Sequence, residues 1–266
     1  MDKPLIVIKL GGSALTDKTR IYTPRKAVIR RAAKQIAFLA RKFSIVLVHG
    51  AGSYGHIPAK RWDLASGFKS RSQLRGLSVT KSKLLEWEAI IGDAFLKQGV
   101  PLMPLSTSDF AVTDNGRIHS ADIRPVRKWL SIGCVPSLGG DLVTDIKRGF
   151  AILSGDQLAA HLAIKLGASR LIFGIDVDGI FNANPKLNRR ARLLRGISAE
   201  QASKLAKKAG ISIAPDVTGG MAGKIREAIV AARRGVPVYF VNLTRGDRLQ
   251  LVALNRDVPC SRITAR

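Results

Sequence analysis

Four short segments hold the residues best suited to chemistry. They read KLGGS at 9–13, HGAGSYGH at 49–56, SGD at 154–156 and DVTGGMAGK at 216–224. The first two follow apolar runs and precede helical patterns. Glycine in such a turn lets backbone N–H groups approach an anion closely, and the helix N-terminus adds partial positive charge. Two such turns on adjacent strands suit a ligand with several phosphates. Lysines stand beside them. Lys9 ends a strongly apolar run, where a charge is costly unless an anion meets it. Lys18 follows Thr16 and Asp17. Lys224 falls in the first turn of a helical segment, a poor place for a cation beside the helix dipole. A bound triphosphate would satisfy all three; solvated surface positions are the plainer alternative for Lys18 and Lys224. His49 and His56 bracket the second turn. His49 reads as a structural hydrogen-bonder, and His56, at the helix start, as a group aimed at a bound anion.

Two better-known phosphate motifs fit poorly. Gly50, Gly52 and Gly55 spell G-x-G-x-x-G after a strand, but the window that should carry a ribose-binding carboxylate, about 20 residues on, reads SRSQLR at 70–75. That basic window leaves open a 2′-phosphate. A P-loop needs Ser or Thr after its Gly-Lys, and Gly223-Lys224 is followed by Ile225, with Thr218 where the first glycine belongs.

The positioning elements follow from periodicity. Residues 5–8 and 45–48 are short apolar runs ending in glycine turns, as in strands buried on both faces of a parallel sheet. Between them, 24–42 carries apolar residues at helical spacing, with Thr23 and Pro24 as N-cap and first-turn residue. This is a right-handed β-α-β unit. Helices are further expected at 80–98, from the Ser154 cap to about 166, at 199–209 and at 221–234. Strands are expected at 135–145, 149–153, 170–175 and 236–241. The class is α/β. Residues 182–196, rich in Asn, Arg and Lys, read as a mobile surface loop.

Composition sets the outer limits. The chain has 266 residues, 46% of them hydrophobic, and a net charge of +25 from 44 Lys+Arg against 19 Asp+Glu. That suits a globular α/β domain with anionic partners. Two cysteines give neither a disulfide framework nor a zinc site, and the four histidines lack metal-ligand spacing. The opening MDKPLIVIKLGG does not read as a signal peptide, and no apolar run of about 18 residues offers a membrane span. A soluble cytoplasmic protein is expected. Nucleic acid is the first partner suggested by charge, but the basic residues are dispersed: nine in 17–42, seven in 60–83 and eight in 186–208. No RNP-like motif or helix-turn-helix accompanies them, so nucleic-acid binding is expected to be nonspecific if it occurs.

Taken together, IVIKLGGSALTDK, VHGAGSYGH, the GGD at 139–141, LSGDQLAAHLA, IDVDGIF and DVTGGMAGK occur in the order and spacing of the amino acid kinase superfamily. The chain most closely resembles its isopentenyl phosphate kinases. G-x-G-S-[FY]-G-H, ending in His56, and TDK, with Lys18, are the specific signals. The resemblance implies a three-layer αβα sandwich around a mostly parallel sheet, residues 1–266 forming one domain. Its acceptor-binding part would span about 1–150 and its ATP-binding part about 151–266. It implies ATP-dependent phosphorylation of isopentenyl phosphate to isopentenyl diphosphate in an alternative mevalonate route, with Mg²⁺, in a homodimer. Lys9, Lys18 and Lys224 would contact the transferring phosphate, with Asp156 holding lysines of that set. His56, Ala51, Gly52, Gly55 and Gly140 would bind the acceptor. Gly11, Gly12, Ser13, Gly52, Asp176, Asp178, Gly179, Phe181, Gly219 and Gly220 would border ATP. No residue is expected to act as a dedicated metal ligand. Lys81 stands where the family often has histidine, either as a further phosphate contact or as a solvated lysine. Leu77, Leu84 and Ile152 are candidates for a prenyl pocket. A kinase for another small phosphate or phosphonate, such as a fosfomycin-resistance kinase, shares the Gly-Ser-[Phe/Tyr]-Gly-His pattern.

Overall fold

The computed structural model describes residues 3–17, 20–183, 185, 187–212 and 220–266. Lys18, Gly219 and most of the TGG turn lie outside the described residues. In chain order the elements are β1 (Leu5–Leu10), α1 (Gly12–Leu15), α2 (Lys26–Ala40), β2 (Ser44–His49), α3 (Gly52–Arg61), α4 (Ser72–Leu96), β3 (Leu102–Leu105), β4 (Ala111–Asp114), β5 (Arg117–Ala121) and α5 (Arg124–Ser131). There follow β6 (Val135–Gly139), β7 (Asp141–Asp145), β8 (Gly149–Leu153), α6 (Gly155–Lys165), β9 (Arg170–Ile175), β10 (Gly196–Ser198), α7 (Ala199–Ser212), α8 (Gly220–Arg233), β11 (Val238–Asn242), α9 (Arg248–Ala253) and β12 (Cys260–Thr264).

The main sheet has the order β10-β12-β11-β9-β1-β2-β6-β3 and is parallel except where β12 runs against β11. Strand period two divides its side chains between two cores. Val7, Val46 and Val48 join one core with residues of α5, α6, α7 and α8. Ile6, Ile8, Leu10, Ile45 and Leu47 join the other with residues of α2, α4 and α9. This is the expected three-layer αβα sandwich. A smaller sheet, β5-β4-β7-β8, stands beside it.

β1 sits between β2 and β9, so the chain leaves it in one direction and returns on its other side. That is a topological switch point, where the carboxyl ends of parallel strands open a crevice. The glycine turns after β1 and β2 both lie there.

Several expectations need correction. The helix read at 80–98 begins eight residues earlier, at Ser72. The segment 135–145 is two strands, broken at Gly140 and assigned to different sheets. Thr23 does not cap α2: its hydroxyl donates to the Ile21 carbonyl at 3.0 Å, and Arg25 holds the N-cap position without a side-chain cap. The surface loop read at 182–196 holds no helix or strand among its described residues before β10 at Gly196; one bridge joins Phe181 to Leu193, and Asn182 N–H donates to the Arg192 carbonyl at 3.1 Å. The strands β3, β4, β5, β10 and β12 have patterns too short or too mixed to be read from periodicity.

Candidate active site

Lys9 occupies the penultimate position of β1, with Val48 and Phe173 as its strand neighbours. It shares the odd register of Val7 and therefore faces the α6 side of the sheet. It is 3% exposed. α6 begins where Ser154, its N-cap, accepts hydrogen bonds from the backbone N–H groups of Asp156 and Gln157. This cap fixes Asp156 in the first helical turn. Its carboxylate meets Lys9 Nζ through Oδ1 at 2.6 Å and Lys224 Nζ through Oδ2 at 3.1 Å. One buried acid thus spans two lysines from β1 and α8. Burial pushes the Asp156 carboxyl up, but Lys9 and Lys224 outweigh it and hold it below its usual value.

The two glycine turns touch backbone to backbone. A Cβ on Gly12 would stand 2.5 Å from the Gly52 nitrogen, and one on Gly50 2.6 Å from the Gly12 nitrogen. Gly52 also has φ +52, which disfavours any side chain. Thr16 ties the turns together: its hydroxyl donates to the Gly12 carbonyl at 2.9 Å and accepts from Ser53 N–H at 3.2 Å. Trp87 of α4 donates through its indole N–H to the Gly50 carbonyl at 2.9 Å.

A cleft of about 980 Å³ opens over this floor. Lys9, Asp156 and Lys224 line its centre. Gly12, Ser13, Ala51, Gly52, Gly55, His56 and Gly140 line it as well, as do Asp176, Gly179, Phe181 and Gly220. The N-termini of α3, α6 and α8 reach it through Gly52, Gly155 and Gly220. One end has apolar walls of Ile57, Leu84, Leu142 and Ile152. A groove with two lysines, three helix N-termini and an apolar end suits an anion carrying a hydrocarbon group, beside a second anion.

Some expected residues are placed differently. Gly11 is not among the lining residues; its N–H donates to the Gly174 carbonyl at 2.7 Å, and a Cβ there would meet that oxygen. Asp178 does not line the cleft. It accepts from Asn242 Nδ2 at 2.8 Å and Arg248 Nη1 at 2.7 Å, and so ties the loop after β9 to β11 and α9. Leu77 does not line the cleft; it packs in a small core with Leu64 and Phe150, behind Ala59, Leu142 and Ile152, which do. Lys81 does not line the cleft: its partly exposed side chain is held by Asp141, Ser106 and Ser108.

His49 differs most from expectation. It is 3% exposed, and neither ring nitrogen has a hydrogen-bond partner among the described residues. The Glu88 carboxylate stands 4.0 Å from its Nε2. Burial, aided by the nearby Lys9 charge, lowers His49 to about 4, so it is neutral at pH 7. Its ring acts as a packing surface for Gly139, where a Cβ would stand 2.8 Å from Cε1. Burial and the Asp141 charge push Glu88 up to about 7, against an opposing Lys81.

The sequence did not single out Trp87, Ser106 or Ser108, and gave Thr16 only as part of the TDK signal. Nothing in the local spacing of Trp87, Ser106 or Ser108 marks them, because Gly50 and Lys81, their partners, lie 25 or more residues away.

Among the described residues, no cluster of His, Cys, Asp or Glu is arranged to hold a metal ion. Asp156 is engaged by two lysines and Asp141 by Lys81. The donor set of lysines and glycine amides is built for anions. It fits a magnesium ion only as one carried on phosphate oxygens, the usual setting for Mg²⁺ in such sites.

The amino acid kinase family pattern matches residues 4–242. The chain is 35% identical to an isopentenyl phosphate kinase of Methanothermobacter thermautotrophicus, covering 98% of this chain and all of that one. It is 31% identical to the isopentenyl phosphate kinase of Thermoplasma acidophilum, over 92% and 94% of the two chains. A crystal structure of an isopentenyl phosphate kinase superposes with a TM-score of 0.85 at 33% identity, over 98% of this chain and 100% of the other. A UMP kinase from Ureaplasma parvum, at 19% identity and a TM-score of 0.66, shares the fold. The glycine turns, the lysine pair on Asp156 and these similarities agree: the chain belongs to the amino acid kinase family and groups with its isopentenyl phosphate kinases.

Proposed function

We propose that the protein transfers the γ-phosphoryl group of ATP to isopentenyl phosphate, giving isopentenyl diphosphate and ADP. The observation that carries this reading is the Lys9–Asp156–Lys224 bridge on the floor of a cleft whose far end is apolar. Similarity to isopentenyl phosphate kinases favours this acceptor over a phosphonate, and favours catalysis over nucleic-acid binding.

The chemistry asks little of a general base. A phosphate monoester has a second pKa of about 6 and is largely dianionic at neutral pH. Its oxygen attacks the γ-phosphorus while the bond to the β–γ bridging oxygen breaks, and the electron pair leaves with ADP. The obstacle is repulsion between two anions, and the transition state is loose, so positioning and charge stabilisation carry the catalysis. Lys9 and Lys224 lie where they can neutralise the transferring group, and Asp156 keeps both aimed at one point. His56 and the turns at Gly52 and Gly140 are assigned to the acceptor phosphate, with Leu84 and Ile152 beside its hydrocarbon. Asp176, Gly179, Phe181, Gly220 and Lys224 are assigned to ATP, together with Gly219 and, for the phosphates, Lys18. In this reading the acceptor lies mainly against residues of about 1–150 and ATP mainly against those of about 151–266. A magnesium ion held by the phosphates would supply further charge neutralisation.

The homodimer and a cytoplasmic setting belong to the same reading. No helix among the described residues is long and apolar enough to cross a membrane.

The test is a coupled ADP-release assay against a panel of small phosphomonoesters, phosphonates, amino acids and UMP. Isopentenyl phosphate should give the highest kcat/KM, and His56→Ala should lower it at least tenfold with KM for ATP unchanged within about twofold. A preferred phosphonate, amino-acid or nucleotide acceptor overturns the reading.

A further inference from the structure

Lys81 lies outside the cleft, yet it joins the two walls of its acceptor end. Its Nζ contacts Asp141 Oδ2 at 2.6 Å, Ser106 Oγ at 2.8 Å and Ser108 Oγ at 3.1 Å. An ammonium group has three N–H donors, and these three oxygens match them. Nothing is left to donate to a phosphate, and the Asp141 carboxylate already neutralises the charge. Asp141 is buried and further held: Ser108 N–H donates to Oδ2 at 3.2 Å, and Leu142 N–H donates to Oδ1 at 2.8 Å.

What this cation touches matters more than its own position. On one side Asp141 follows Gly140 directly, the turn glycine that lines the cleft. On the other side Lys81 belongs to α4, and Leu84, one helical turn later, reaches the cleft. Leu84 also backs the second glycine turn, since a Cβ on Gly55 would stand 3.2 Å from its Cδ2. His56 follows Gly55. The lysine therefore fixes the Gly140 turn relative to the helix that supports Leu84, Gly55 and His56.

We infer that Lys81 is a positioning residue for the phosphoryl acceptor: its ion pair with Asp141 sets the distance between the Gly140 turn and the α4 wall. Asp176, Gly179 and Phe181, at the nucleotide end of the cleft, are not among the hydrogen-bond partners of Lys81 or Asp141. This inference rests on the acceptor lying between His56 and Gly140.

The test uses the full-length protein with Lys81→Met, Lys81→Arg and Ser106→Ala. Lys81→Met should raise KM for the acceptor about tenfold and leave KM for ATP within about twofold. Ser106→Ala, which removes one contact and leaves the buried carboxylate paired, should raise acceptor KM about threefold. Lys81→Arg, which keeps the charge and the reach to Asp141, should recover most of the loss. A second readout is independent of substrate identity: amide hydrogen exchange of Gly140, Asp141 and Leu142 should accelerate at least tenfold in Lys81→Met, relative to amides of β9 and β11. Unchanged exchange at those amides, or equal rises in both KM values, overturns the inference. If wild type fails to use isopentenyl phosphate, the acceptor reading falls, while the exchange measurement still decides the strap.

Discussion

Asp156 shows how much one buried residue can carry. It has almost no exposed surface, yet two cations from distant segments share its carboxylate. Removing one partner of such a buried cluster strands the remaining charge, at a cost of about 3–5 kcal/mol. Asp156→Asn keeps the shape and removes the charge. Its unfolding free energy should fall by about 3 kcal/mol, measured by urea denaturation at pH 7, and turnover should fall at least a hundredfold. The sign of the pH effect follows from the direction of the shift. The folded carboxyl titrates below its usual value of 3.8, so its stabilisation is present above that value and is lost as pH falls through the folded one. The mutant should therefore show a flatter acid limb in its stability profile. A mutant equal to wild type in both stability and rate would place the two lysines outside the chemistry.

At the scale of elements, the site depends on how closely two turns approach. The β1–α1 and β2–α3 turns meet through Gly12, Gly50 and Gly52 with no room for a side chain. Gly12→Ala would force these backbones apart, an overpacking cost of about 1–3 kcal/mol. Because the same turns line the cleft, KM for both substrates should rise together. Gly92 gives the internal control. It lies in α4, and a Cβ added there would meet nothing within 4 Å. Gly92→Ala should stabilise by up to about 1 kcal/mol through helix propensity. Thermal midpoints of the two variants should move in opposite directions. A Gly12→Ala protein with wild-type midpoint and kinetics would mean that the turns can separate freely. Much of this level is legible in the sequence: buried strand, glycine turn and helix repeat at 5–15 and at 45–61. The start of α4 is not, because 72–79 has a weak apolar pattern and its register is set by packing on α3.

For the whole molecule, the charge of +25 remains far larger than the site requires. Lys9 and Lys224 share the one Asp156 carboxylate, and Lys81 pairs with Asp141, so these three lysines at and beside the cleft leave a single uncompensated positive charge. The excess is a long-range field. It should speed capture of anionic substrates and destabilise the compact state through self-repulsion. Both effects are screened as the Debye length shrinks from about 30 Å at 0.01 M to about 10 Å at 0.1 M salt. Raising an inert salt across that range should lower kcat/KM for the acceptor several-fold and raise the thermal midpoint. Opposite signs in the two measurements are the diagnostic; salt-independent kcat/KM would assign the charge no role in capture.

The amino-acid sequence by itself determined the β-α-β units, the glycine turns that end them, the Ser154 cap and the family, because these rest on local pattern and on motif order. The cost of leaving Lys9 unpaired was also legible, since its neighbours are apolar. The tertiary structure alone decided its partner. Strand parity turned Lys9 toward α6, and the switch point at β1 brought α6 and α8 to the same strand end. The same long-range packing left His49 without a hydrogen-bond partner among the described residues, turned Asp178 toward Arg248, and gave Lys81 to Asp141. Each of these arrangements joins segments far apart in the chain. Local propensity carries no information about such distances; sheet order and register do.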